Sequence, residues 1–140
     1  MKLLKSSYSA LLISIAASSA FAETAVIVSA ENPNASINKN LVSKIFLGKT
    51  KSFPDGSQAL PIDQDESSSV RHDFNSKILG KSDSQLKSYW SRLIFTGKGT
   101  PPTQSGDDAA VKNLIANNPN LIGYIDSSAV DSSVKVVHKF

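Results

Sequence analysis

The 140-residue chain contains no cysteine. That absence excludes disulfides, thiolate metal sites and lipid attachment at cysteine. Histidine is scarce as well: His72 and His138 are the two in the chain, too few and too badly spaced for a histidine metal site. Lysine and arginine form no run, and the aromatic residues do not alternate with them. A nucleic-acid groove would need both features, so nucleic acid is not an expected partner. Beyond residue 22 no apolar stretch approaches the roughly 20 residues that cross a bilayer.

The first 22 residues have the three parts of a secretory signal. Lys2 and Lys5 supply the positive end, Leu11 to Ala17 the apolar centre, and Ala20-Phe21-Ala22 the small-residue cleavage pattern. Residues 1–22 are therefore expected to be removed, leaving 118 residues from Glu23 to Phe140 as one domain with no stable membrane insertion. The whole chain has 15 basic and 12 acidic residues; without Lys2 and Lys5 the balance is 13 to 12, a net charge of +1. The expected location is the periplasm.

Along those 118 residues, TAVIVSA (Thr24 to Ala30) is short, β-branched and followed by the turn-forming ENPN, which predicts a buried strand. Asn38 is placed to cap a helix with Leu41, Val42, Ile45 and Phe46 on its inner side and Gly48 at its end. A second strand is predicted at Leu60 to Asp63, with Pro61 marking it as an edge or an end. Val70, Phe74 and Ile78 recur at helical spacing, and Ser84 to Phe95 puts Leu86, Tyr89, Trp90, Leu93 and Ile94 on one face. That spacing predicts core packing for Tyr89 and Trp90 rather than a ligand platform. Asp107 and Asp108 open a further helix with Val111, Leu114 and Ile115 inward. Leu121 to Asp126 and Val134 to His138 complete the strands. Strands separated by helices predict an α/β fold with a small, mostly parallel mixed sheet flanked by helices.

The chemically suggestive stretch is DESSSVRHDF, Asp65 to Phe74. Serine, histidine and aspartate stand close together there, but Asp73 is one residue from His72 and points about 100° away on a helix, so it cannot orient that imidazole. The glycine-flanked elbow of a serine nucleophile is also missing, and no catalytic residue, metal or cofactor is expected. An oxyanion needs less. A helix start offers unpaired backbone N–H groups and a partial positive charge. Ser67, Ser68 and Ser69 would add hydroxyls, the amides of Ser69, Val70 and Arg71 the dipole end, and Arg71 a guanidinium fork. The simpler reading is that Ser67 or Ser68 is an ordinary helix cap. SGDD, Ser105 to Asp108, is a second helix start, where two aspartates favour capping over anion binding. Tyr124 either packs or offers its hydroxyl at a strand end.

The order of VSKIFLGKTKSFPDGSQALPIDQDESSSVRHDF, YWSRLIFTG, SGDDAAVKNLI and NPNLIGYIDSSAV resembles one lobe of the phosphate-binding proteins of ABC transporters, in the type 2 periplasmic binding protein family. IFLGK at Ile45 to Lys49 and NPNLIGYID at Asn118 to Asp126 are the most specific parts. The resemblance implies a single three-layer lobe, half of the family's two-lobed clamp. It also implies an oxyanion site in which Ser68 takes the place of the family's serine and Ser69 that of its glycine. Val70 stands where the family has threonine, Glu66 where it has an aspartate, and Gln64 where it has an arginine. A hydroxyl and a cation are thus missing, while Glu66 keeps a carboxylate able to accept a proton from the ligand. The implied function is non-catalytic binding of a small oxyanion such as phosphate or sulfate, completed by self-association or by an envelope or transporter protein. The other reading is an interaction module that docks on an envelope protein and takes no small ligand.

Overall fold

The computed structural model describes residues 23–140; the expected signal segment, residues 1–22, lies outside them. Five strands form one sheet in the order β3-β2-β4-β1-β5. Strand β1, Thr24–Ser29, is buried along its whole length, as a strand with apolar side chains on both faces must be. Val26 and Val28 turn to one face, where they join Phe46, Phe74 and Tyr124 in a core. Ala25 and Ile27 turn to the other, with Val111 and Ile115. Helices therefore cover both sides of the sheet, and the α/β three-layer expectation is met.

Helix α1, Lys39–Phe46, begins where Asn38 accepts a hydrogen bond from the amide of Leu41, and Gly48 leaves it with φ +73°, a conformation glycine adopts without strain. Strand β2, Leu60–Asp63, leads through a short turn to helix α2, Ser69–Phe74, which continues as a π-helical turn over Asn75–Leu79. Helix α3, Asp83–Phe95, starts at a reciprocal cap between Ser82 and Gln85. A two-residue strand β3, Thr103–Gln104, precedes helix α4, Asp108–Ala116, capped by Asp107. Strands β4, Leu121–Asp126, and β5, Val134–Lys139, close the chain.

The sheet is evenly mixed, which corrects the expectation of mostly parallel neighbours. β2 runs parallel to β3 and β4, whereas β1 is antiparallel to β4 and β5. The cause is topological: β4 and β5 take the two sides of β1, and both run against it. Pro61 pairs with Ile122 of β4, while β3 reaches only Ile62 and Asp63, so the proline sits where β2 has a neighbour on one side.

A second correction concerns α3. Of its predicted inward face only Leu86 is buried; Tyr89, Trp90 and Leu93 are half-buried and Ile94 is 55% exposed. The amphipathic pattern is present, but α3 does not lie against the sheet along its length. Tyr89 donates a 2.6 Å hydrogen bond to the carbonyl of Leu47, Trp90 stands beside Gly48 and Gly99, and cavities of about 380 and 550 Å³ both border Trp90.

Candidate functional site

The carboxyl end of β2 delivers Asp63 and Gln64 into the interior, and the next turn reverses the chain into α2. Ser68 is the helix cap, its Oγ accepting from the amide of Arg71 at 3.1 Å. The same hydroxyl donates to Oε1 of Gln64 at 2.6 Å. Gln64 is 1% exposed. Its Nε2 donates to Oδ1 of Asp108 at 2.6 Å and to the carbonyl of Tyr124 at 2.9 Å, and its backbone amide donates to the Tyr124 hydroxyl at 3.2 Å. One buried glutamine amide thereby joins the starts of α2 and α4 to the end of β4. A buried amide of this kind is costly unless its hydrogen bonds are made.

Beneath this link lies a second one. The Tyr124 hydroxyl donates to Oδ1 of Asp63, while the tyrosine ring stacks on Phe74 with centroids 4.1 Å apart. Arg71 turns back to the same place: Nη1 donates to the carbonyl of Gln64 at 2.8 Å and Nη2 lies 3.6 Å from Oδ2 of Asp63. Burial raises the Asp63 pKa above its ordinary value, with the Tyr124 hydroxyl and the Arg71 charge opposing the shift. Burial also raises the Tyr124 hydroxyl, and the Asp63 carboxylate adds to that shift.

The predicted residues are thus brought together, but they divide into two groups. Gln64, Ser68 and Arg71 are joined by hydrogen bonds, and Arg71 also reaches Asp63. Ser67 and Ser69 are exposed, Val70 is half-buried against the core, and Glu66 is exposed at the rim of the 380 Å³ cavity. The open part of the turn consists of two hydroxyls, the first amides of α2 and the carboxylates of Asp65 and Glu66. His72 does not turn to the serines; its Nδ1 lies 3.2 Å from Oδ2 of Asp83 on the protein surface. Of the two readings of Tyr124, both hold at once, since it packs and uses its hydroxyl. Asp107 caps α4 as expected, whereas the bond from Gln64 to Asp108, 44 residues away, has no local sequence signal. Asp63 and Asn75 also went unsignalled, although each is a polar residue at an otherwise inward position.

No family model and no curated protein matches the chain. Solved structures do. An ABC-type phosphate transport receptor from Vibrio cholerae superposes with a TM-score of 0.67 at 19% identity, over 84% of this chain and 46% of its own. A chain from Clostridium perfringens, assigned as a phosphate ABC transporter substrate-binding protein and solved with bound phosphate, gives 0.65 at 24% identity over 83% and 45%. PstS from Borrelia burgdorferi gives 0.60 at 16% over 84% and 47%. The chain spans less than half the length of each of these proteins. Its fold is that of a single lobe of phosphate ABC transporter substrate-binding proteins, as the sequence resemblance implied.

Proposed function

We propose that the protein is an exported, non-catalytic solute-binding lobe that holds a small oxyanion such as phosphate at the start of α2. The observation that carries this reading is the exposed pair Ser67 and Ser69 at the beginning of a helical run that extends from Ser69 to Leu79. Two hydroxyls there stand beside amides whose dipoles favour negative charge. The bound phosphate of the Clostridium perfringens protein, in a shared fold, supports the same chemistry.

Three features set the expected affinity. Ser68 donates its hydroxyl to Gln64, and Arg71 is turned toward the Gln64 carbonyl and Asp63, so the cradle relies on Ser67, Ser69 and backbone amides. Asp65 and Glu66 are exposed close by and repel a fully ionised ligand. Glu66 instead accepts a proton from a ligand that carries one, which favours hydrogen phosphate over sulfate. A lone lobe also leaves the ligand wet on one side, where water competes with each hydrogen bond. Binding by this chain alone is therefore weak, and tight binding needs a second surface from another copy or from an envelope or transporter protein.

Calorimetric titration of the purified protein with phosphate and with sulfate tests the reading. Phosphate should bind in the millimolar range, more tightly than sulfate and less tightly as salt is raised. Absence of heat with both ions would overturn it and leave docking on an envelope protein as the explanation for the serine turn. N-terminal sequencing of the exported protein tests the processing step, with Glu23 as the expected first residue.

A further inference from the structure

The 380 Å³ cavity lies between the π-helical turn and α3, and Glu66 of the serine turn stands at its rim. Its size falls in the range of small-molecule pockets. Trp90, Leu86 and Ile94 supply an apolar wall. Asn75, at the first position of the π-helical turn, supplies a polar one. Such turns insert a residue into a helix and are frequent at functional sites. Asn75 is 3% exposed, and its Nδ2 is the buried side-chain polar atom among the described residues that has no hydrogen-bond partner. An amide left in that condition costs stability, and few native structures keep one without a reason. Asn75 borders the cavity and the torsion that orients an asparagine amide is soft, so rotation about it is the motion that would present the N–H group to a carbonyl placed there.

The charges lining the cavity identify the kind of carbonyl compound. Arg71 and Lys87 are opposed by Asp63, Glu66 and Asp83, and Arg71 is already committed to Asp63 and the Gln64 carbonyl. No excess positive charge remains to hold an inorganic anion or a free carboxylate. An uncharged carboxamide fits better. Its carbonyl oxygen accepts from Asn75, its N–H groups donate to the Glu66 carboxylate at the rim, and its apolar body lies against Trp90 and Leu86.

We propose that this cavity is a binding site for a small uncharged carboxamide with an apolar body, with Asn75 as the hydrogen-bond donor and Trp90 as the wall. Trp90 is the sole tryptophan of the chain, so its fluorescence reports occupancy directly. Titrating the purified protein with benzamide should produce a saturable change in Trp90 emission, and toluene, benzoate and inorganic phosphate should not reproduce it. Asn75→Leu removes a donor that has no partner in the fold, so the variant should stay folded and bind benzamide at least tenfold more weakly. In the wild-type protein the side-chain amide resonances of Asn75 should shift on saturation with benzamide, a readout that holds even where the variant fails to fold. No saturable change with benzamide, an equal response in folded Asn75→Leu, unmoved Asn75 resonances, or a response to phosphate in place of benzamide would each overturn the proposal.

Discussion

Ser68 donates its hydroxyl to the buried side chain of Gln64 at 2.6 Å, so the serine that caps α2 is tied to the interior and not held out to solvent. The same glutamine reaches Asp108 at 2.6 Å, which makes it the joint between two helix starts. Replacement by arginine alters both bonds. The guanidinium keeps a partner in Asp108, removes the acceptor that engages Ser68, and puts a positive charge behind the serine turn. Gln64→Arg should therefore bind phosphate more tightly than the wild type and melt at a lower temperature, because a charge is buried where an amide was. Parallel calorimetry and thermal melts check both halves; unchanged phosphate affinity would count against the oxyanion reading. Gln64→Leu, which loses all the side-chain bonds, should cost roughly 1–3 kcal/mol of stability.

Tyr124→Phe is the cleanest probe of the layer beneath. The ring of Tyr124 stacks on Phe74 and lies 5.8 Å from Phe46, and phenylalanine preserves both contacts. What disappears is a hydroxyl that donates to Asp63 and accepts from the amide of Gln64. Leaving those buried groups unpaired should destabilise the protein by about 1–3 kcal/mol, read as a lower urea midpoint with an unchanged slope. A wild-type midpoint would mean that the hydrogen bonds carry no net stability.

The pH dependence of stability should contain opposing contributions. Asp63 has a raised folded-state pKa. Its protonated form is favoured by folding, so its contribution is full below the ordinary value of 3.8 and is lost as pH rises through the raised value. Asp131 behaves in the opposite sense. The Ser133 hydroxyl, followed by Lys112, lowers it to about 2, so its contribution is present above 3.8 and disappears on acidification toward 2. Asp63→Asn isolates the first effect. The melting temperature of the variant minus that of the wild type should increase as pH rises from below 3.8 toward neutrality; a flat or falling difference would contradict the burial of a costly carboxylate.

The legible parts of the fold are those in which short-range chemistry and burial agree. Asn38 before a periodic segment identified α1, Asp107 identified α4, and the apolar run from Thr24 identified a strand covered on both faces. The same reasoning failed for α3 because periodicity shows that a helix has an apolar face but not what covers it. Trp90 and Ile94 share the pattern of core residues and border a cavity instead. The candidate site was legible as a helix cap at Ser68 and as a cluster of hydroxyls. Its inner half was not, since the bonds from Gln64 to Asp108 and from Tyr124 to Asp63 join residues 44 and 61 positions apart. Such pairings are set by the strand order, and the two-residue strand β3 is too short to leave a pattern of its own.

The contact between α4 and β4 gives the final prediction, on Gly123. This residue lies in the middle of β4, opposite Ile27 of β1, where a larger residue would ordinarily strengthen a strand. A Cβ built there would stand 2.5 Å from Cδ1 of Ile115 and 2.9 Å from Cγ1 of Val111. Glycine is required by this close approach and not by its backbone angles, for Gly123 is absent from the glycines with positive φ. The methyl of Ile115 ends a flexible side chain and can move aside; Val111 is branched next to the helix backbone and has less freedom. Gly123→Ala should therefore push α4 off the sheet and cost about 1–3 kcal/mol, the range for overpacking a filled core. Gly123→Ala combined with Val111→Ala should regain part of that loss, since the second change removes the less yielding obstacle. Urea unfolding of both variants decides the matter. If the single variant is as stable as the wild type, or the double variant is less stable than the sum of the two single changes, close packing of α4 on Gly123 is not what the position demands.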